Sequence, residues 1–334
     1  MTVGTKALRK IQLGKETTAG TAVAATTIWR GVGVLDDQRE TVFVEEDVGQ
    51  LMGVSRNYTP TLLAGLSLEE IPATFEQLGH ILNAGVKAIT TAAADGTGSG
   101  QVWQFTLPTT AANSIKTYTI EGGDDVAQER AEYAFVKKFS LAGKAGEALK
   151  MSADWAGRQI STMAAFSTAA TLPEVETILV GNGRVYLDLV TGTMGATEVA
   201  STILDVSINH ETGWEEFRTL GSGLTFGTVE GGKPDITVEL TFLHNASAVA
   251  EKALWVAHTP RQLRLKFTGT ALTTTNIYTT RQLNCDFVGM WDKFEKLGEQ
   301  SGLDTVKGTF KVRYNTTAAS VGEYLIVNEL ATLP

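Results

Sequence analysis

The stretch Phe135–Arg158, FVKKFSLAGKAGEALKMSADWAGR, decides how the chain folds. An aromatic and a valine open it and a Gly- and Lys-rich turn follows. The returning segment then places Leu149, Met151, Ala153 and Trp155 at every second position, with Lys150, Ser152 and Asp154 between them. Successive side chains of an extended chain point to opposite faces, so this alternation predicts a β-hairpin with one face buried. The layout returns at Phe287–Tyr314, FVGMWDKFEKLGEQSGLDTVKGTFKVRY, where Val306, Gly308, Phe310, Val312 and Tyr314 alternate with Lys307, Thr309, Lys311 and Arg313. Two copies of one hairpin divide the chain into two related halves.

Outward from the first hairpin, β-formers at Ile28–Leu35 and Thr41–Val44 predict strands. Glu45–Pro60 is a long polar segment that carries Val48, Leu51, Met52 and Val54, apolar residues that are costly to leave in water and so are expected to meet a partner. Glu69–Ala84 reads as a helix, with Ile71, Phe75, Leu78 and Leu82 on one face, Pro72 in its first turn and Gly85 at its end. Strands follow at Trp103–Leu107 and Tyr118–Ile120. The Ser/Thr/Ala-rich residues 159–175 read as a linker, and the order then repeats. Strands at Ile178–Leu189 and Ile203–Ile208 precede a second Gly-rich segment, Asn209–Lys233, which carries Trp214, Phe217, Leu224 and Phe226. A clean strand at Ile236–Phe242 follows, then a helix capped by Asn245 or Ser247 and a strand at Leu263–Phe267.

These readings give a mainly β chain, a sandwich or barrel with one short helix per domain. The expected division is an N-terminal arm 1–27, a first β domain 28–160, a linker 161–176, a second β domain 177–316 and a C-terminal extension 317–334. The arm either docks on a neighbouring subunit or lies on its own domain.

A net charge of −9 argues against gripping nucleic acid by neutralising its phosphates. The one cysteine, Cys285, forms no internal disulfide and reads as a small buried strand residue. His80, His210, His244 and His258 have no metal-ligand spacing, so no metal or cofactor is expected. The N-terminus lacks an apolar signal region and no run is long enough to span a bilayer, which predicts a soluble protein made in the cytoplasm. The nearest approach to a catalytic group is Glu211, Glu215 and Glu216 around Trp214, carboxylates that in a carbohydrate enzyme act in pairs. All three sit in one Gly-rich segment with no partner elsewhere, and no enzyme is expected.

The arm ALRKIQLGKETTAGTAVAATTIWRG, the segment ending FEQLGHIL, the YTIEGGD turn and the strand pair FSLAGKAGEALKMSADWAG together resemble the major tail tube proteins of long, non-contractile phage tails. The duplicated halves are most similar to the subfamily with two tube domains per subunit, in which three subunits complete a pseudo-sixfold ring; one tube domain with six subunits is the other plan. The resemblance implies a virion structural protein, assembled in the host cytoplasm, whose rings stack around a tape-measure protein between initiator and terminator proteins. Viral DNA would then pass through the lumen without specific binding, and no membrane is involved. On this reading Val48, Leu51, Met52 and Val54 in one half, and Trp214, Phe217, Leu224 and Phe226 in the other, would contact the adjacent ring. Thr237, Glu239, Thr241, Ser152 and Asp154 would face either the lumen or outer solvent. A tail-associated carbohydrate-binding or depolymerising β protein is the alternative, as is another ring-forming virion protein such as a tail terminator.

Overall fold

The computed structural model describes residues 3–333. Its first half holds β1 (Lys10–Lys15), β2 (Thr27–Ile28), β3 (Gly33–Asp37), β4 (Val42–Phe43), β5 (Asn57–Tyr58), β6 (Ala64–Pro72), helix α1 (Leu78–Gly85), β7 (Ala93–Ala94), β8 (Gln101–Thr106), β9 (Tyr118–Gly123), β10 (Gln128–Lys144), β11 (Lys150–Gly157) and β12 (Ile160–Met163). The second half holds β13 (Gly183–Leu189), β14 (Ile203–Glu211), β15 (Trp214–Phe217), β16 (Thr228–Gly231), β17 (Asp235–Leu243), helix α2 (Ala246–Val256), β18 (Arg261–Ala271), β19 (Thr280–Phe294), β20 (Gly298–Gln300), β21 (Leu303–Val312) and β22 (Gly322–Asn328). The fold is mainly β, as the alternating sequence requires. In β17, Ile236, Val238, Leu240 and Phe242 are buried while the residues between them reach solvent.

The two halves repeat one pairing scheme. In the first, β1 pairs β9, β9 pairs β10, β10 pairs β11 and β12, β11 pairs β6 and β6 pairs β3. In the second, β13 pairs β18, β18 pairs β19, β19 pairs β21 and β22, β21 pairs β17 and β17 pairs β14. Individual backbone bonds correspond too. Ala73 N donates to Leu149 O at 2.7 Å as His244 N does to Asp304 O at 2.9 Å, and Arg158 N donates to Glu132 O as Arg313 N does to Val288 O, both at 2.8 Å. These bonds equate Met151, Ala153 and Trp155 with Val306, Gly308 and Phe310. Both long strands bend at a bulge, β10 beyond Val136 and β19 beyond Trp291.

The halves are not separate bodies. Strand β10 pairs along Lys138–Lys144 with β14, joining both into one antiparallel sheet ordered β3–β6–β11–β10–β14–β17–β21–β19. One apolar cluster runs beneath it, from Leu66 and Met151 to Ile208, Leu240 and Phe310. Two segments expected at the margins lie inside this architecture. Ile11 and Leu13 of the expected arm are buried in β1, and the expected C-terminal extension contains β22, which lies between β19 and β8.

Helix α1 starts at Leu78, later than its sequence pattern suggests. Glu69–Pro72 stay extended because β6 pairs as far as Pro72 with β11, and the turn after them is closed by Thr74 Oγ1, which accepts from Gln77 N at 3.2 Å. In α2, Asn245 caps the first turn as expected, accepting from Ser247 N and Ala248 N at 3.0 and 3.1 Å.

Candidate assembly interface

One face of the eight-stranded sheet covers the core and the other is a continuous polar surface. Thr237, Glu239, Thr241, Ser152 and Asp154 all lie on that polar face, with Ser140, Ser207 and Asn209 beside them. Its side chains bond across strands. Ser67 Oγ donates to Asp154 at 2.8 Å, Ser140 and Ser152 meet at 2.8 Å, and Thr241 donates to Asp205 at 2.8 Å.

The bases on this face are largely matched by acids. Lys307 meets Glu239 at 2.9 Å, Lys311 and Arg313 meet Asp235 at 2.9 and 3.4 Å, and Lys150 lies 3.8 Å from Glu70. The hydrogen bond from Lys311 holds the Asp235 carboxyl below the usual carboxylate range, and Glu239 in turn raises the Lys307 ammonium. The face is therefore not uniformly acidic, in keeping with Lys150, Lys307, Lys311 and Arg313, the bases its strands carry in the sequence.

The two apolar-tipped segments have different fates. The tip between β4 and β5 projects into solvent, with Leu51 and Met52 fully open, Val48 exposed and Val54 half-buried. In the segment between β14 and β17, Phe217 and Leu224 are exposed, but Trp214 and Phe226 are buried. That hairpin, β15–β16, folds back over the first half. Phe226 packs on Tyr133 and Phe135, with ring centroids 5.1 and 6.3 Å away, and the Arg158 guanidinium covers Tyr133 at 4.6 Å. Trp214 Nε1 donates to Gly85 O at 3.1 Å, and Leu62 N donates to Leu224 O at 2.9 Å. Trp214 and Phe226 thus join the halves of one chain instead of awaiting another. The reason lies in long-range folding: the β10–β14 ladder delivers this segment onto an aromatic floor that the sequence places about ninety residues earlier.

The same packing dissolves the carbohydrate-like cluster. Glu215 and Glu216 both bind Lys137, at 2.8 and 3.0 Å, and the Trp214 ring has no open face for a sugar to stack on. Among the described residues no group of His, Cys, Asp and Glu has metal-binding geometry. His80 and His210 are instead core residues. Their Nδ1 atoms bond the hydroxyls of Tyr118 and Tyr324 at 3.2 and 2.9 Å, and burial lowers both imidazoles to about 3. Cys285 is buried in β19, and burial pushes its thiol well up. Among the described residues no helix is long and apolar enough to cross a membrane.

At its two ends the sheet is open. Among the described residues strand β3 pairs only with β6: Gln38 N donates to Leu63 O and Glu69 N to Val32 O, so the even-numbered backbone groups face β6. Hydrogen-bonding direction alternates along a strand, which turns the backbone groups of Gly33, Leu35 and Asp37 to the open side. At the other end, beyond its bulge, β19 bonds β21 through Lys293 and continues with Glu295 N to Lys307 O, which turns the backbone N–H and C=O of Phe294 to the unpaired side while its ring stays buried against Trp255 and Trp291. On the same side Asp292 O accepts from Trp255 Nε1 at 3.1 Å. Sequence reading located the polar face and the apolar tips. It missed these edges, whose signal is pairing that never occurs.

Comparison with protein-family models and with curated proteins finds no match to this chain.

Proposed function

We propose that the chain is a structural subunit that polymerises as stacked rings into a hollow tube of the long-tailed phage type, through which DNA passes. One observation carries this reading. Two four-stranded units of identical pairing are already joined side by side in one sheet, β3–β6–β11–β10 followed by β14–β17–β21–β19, with one polar face and an open strand at each end. A contact that joins the end of one unit to the start of the next is head-to-tail, and repeated head-to-tail contacts close into a ring when the rotation allows. Three chains give six units, and the continuous polar face becomes the wall of an aqueous lumen.

The chemistry of that wall suits passage without capture. Phosphate backbones are held by unneutralised Lys and Arg, and here Lys307, Lys311 and Arg313 are engaged by Glu239 and Asp235. Function then consists of geometry and weak electrostatics, with no bond made or broken. A tape-measure protein within the lumen, initiator and terminator proteins at the ends, and a place in the virion tail follow from the same reading.

Electron microscopy of the concentrated protein tests it. Hollow tubes whose end-on views show six lobes with threefold modulation are expected. True sixfold rings would retain the tube and discard the trimer, single closed rings would indicate a terminator-like role, and discrete monomers that bind glycan would sink the reading.

A further inference from the structure

We propose that the joint between the two halves is rebuilt between copies: β3 of one chain pairs with the Asp292–Leu297 edge of a second copy, and the β4–β5 tip of the first fills a cleft in the second. The ring reading supplies only the identity of the partner, another copy of this chain. The geometry comes from the internal correspondence of the halves.

Within one chain, β14 pairs β10 with Ile208 opposite Leu141, His210 opposite Phe139 and Glu211 opposite Lys138. Strand β3 holds the place of β14, because Leu35 faces Leu66 of β6 as Ile208 faces Val238 of β17. Likewise β19 beyond its bulge holds the place of β10, since Phe294 faces Gly308 as Phe139 faces Ala153. Carrying the register across puts Asp37 opposite Phe294, Gln38 opposite Lys293 and Arg39 opposite Asp292. The open backbone groups on both strands fall on matching positions. Asp36 comes directly opposite Glu295, which Lys293 already neutralises at 3.0 Å, and Lys293 and Lys296 lie on the diagonals of Asp36 and Asp37.

The hairpins follow the same correspondence. Leu224 and Phe226 of β15–β16 cover Leu62 and Arg158 in the first half. The equivalents of Leu62 and Arg158 are Pro234 and Arg313, and these line an open cleft of about 340 Å³ together with Gly232, Val312 and Tyr314. Counted back from the returning strands β16 and β5, the equivalents of Leu224 and Phe226 are Met52 and Val54, on the exposed tip. Pro234 has no N–H, so the seat is apolar where its counterpart is hydrogen-bonded. On this correspondence the tip makes a lateral contact within a ring.

Disulfide trapping tests the register on a clean background, because the only native cysteine, Cys285, is buried. Positions 38 and 293 form a pair without mutual backbone bonds, in which Cα atoms approach to about 4.5 Å, close enough to bridge. The Lys138→Cys/Glu211→Cys variant, the corresponding pair within one chain, should oxidise intramolecularly and serves as the positive control. Mixed Gln38→Cys and Lys293→Cys proteins should give a disulfide dimer, neither alone should, and the double variant should give a ladder that stops at the closed ring. Met52→Asp should reduce the mixed cross-link at least tenfold at an unchanged urea midpoint. Gln38→Cys linking to itself would overturn the proposal in favour of β3–β3 pairing. Absence of the mixed cross-link in preparations that form tubes would overturn it while leaving the tube standing, and its absence where the control oxidises and no tubes form would remove both.

Discussion

Phe226 and Leu51 look alike in sequence, as apolar residues in Gly-containing polar segments, yet they stand for opposite outcomes. Phe226 is buried against Tyr133 and Phe135, so Phe226→Ala should destabilise the monomer by about 3–5 kcal/mol, read as a lowered urea midpoint. Leu51 is fully exposed, and Leu51→Asp should leave that midpoint within about 0.5 kcal/mol while abolishing assembly in sedimentation. The buried histidines set a second residue-scale expectation. Their folded values, about 3, lie below the unfolded value near 6.5, so the unfolded chain binds more protons between these limits. Stability supplied by the neutral rings is complete above about pH 6.5 and falls as pH drops towards 3, by about 1.4 kcal/mol per pH unit for each histidine. Urea midpoints measured from pH 7 to pH 4 should fall accordingly, and His210→Gln should flatten the slope.

Strands and helices carry the pattern that the alternation announced, and their limits follow from what lies beside them. Strand β17 needed only its own sequence, Asp235–Leu243, whereas β6 runs on to Pro72 because β11 is there to pair with it. Helix α2 relies on a local cap: Asn245→Ala leaves two first-turn amides without their acceptor and should cost about 1 kcal/mol in chemical denaturation. The two hairpins show the same contrast between local and distant causes. Hairpin β15–β16 is fixed by a floor in the other half, and the exposed tip of β4–β5 has none among the described residues. Hydrogen exchange should accordingly be fast across Glu46–Ser55 in the monomer and slow down on assembly.

In the whole molecule, the shared sheet makes the two halves one cooperative body, so thermal unfolding should follow a single transition despite the repeated layout. The polar face also acts as a unit. Glu239→Gln with Asp235→Asn would strip the partners from Lys307, Lys311 and Arg313. That variant should retain DNA on a filter at low salt where the parent does not, with retention lost as salt rises. A parent that holds DNA equally well would count against the lumen assignment.

The alternating residues of Phe135–Arg158 and Phe287–Tyr314 determined by themselves that the chain is mainly β, that its halves share a plan and which side chains of β11 and β21 meet water, up to Tyr314, which the alternation placed with the apolar residues and which is exposed beyond the end of β21. They did so because period two is a local property that every strand carries with it. The burial of Trp214 and Phe226, the inclusion of β1 and β22 in the architecture, the matching of lysines to acids and the open edges of β3 and β19 were decided only by the tertiary structure. Each depends on which distant segment lies alongside, and strand pairing across a hundred residues leaves no periodic mark in the sequence.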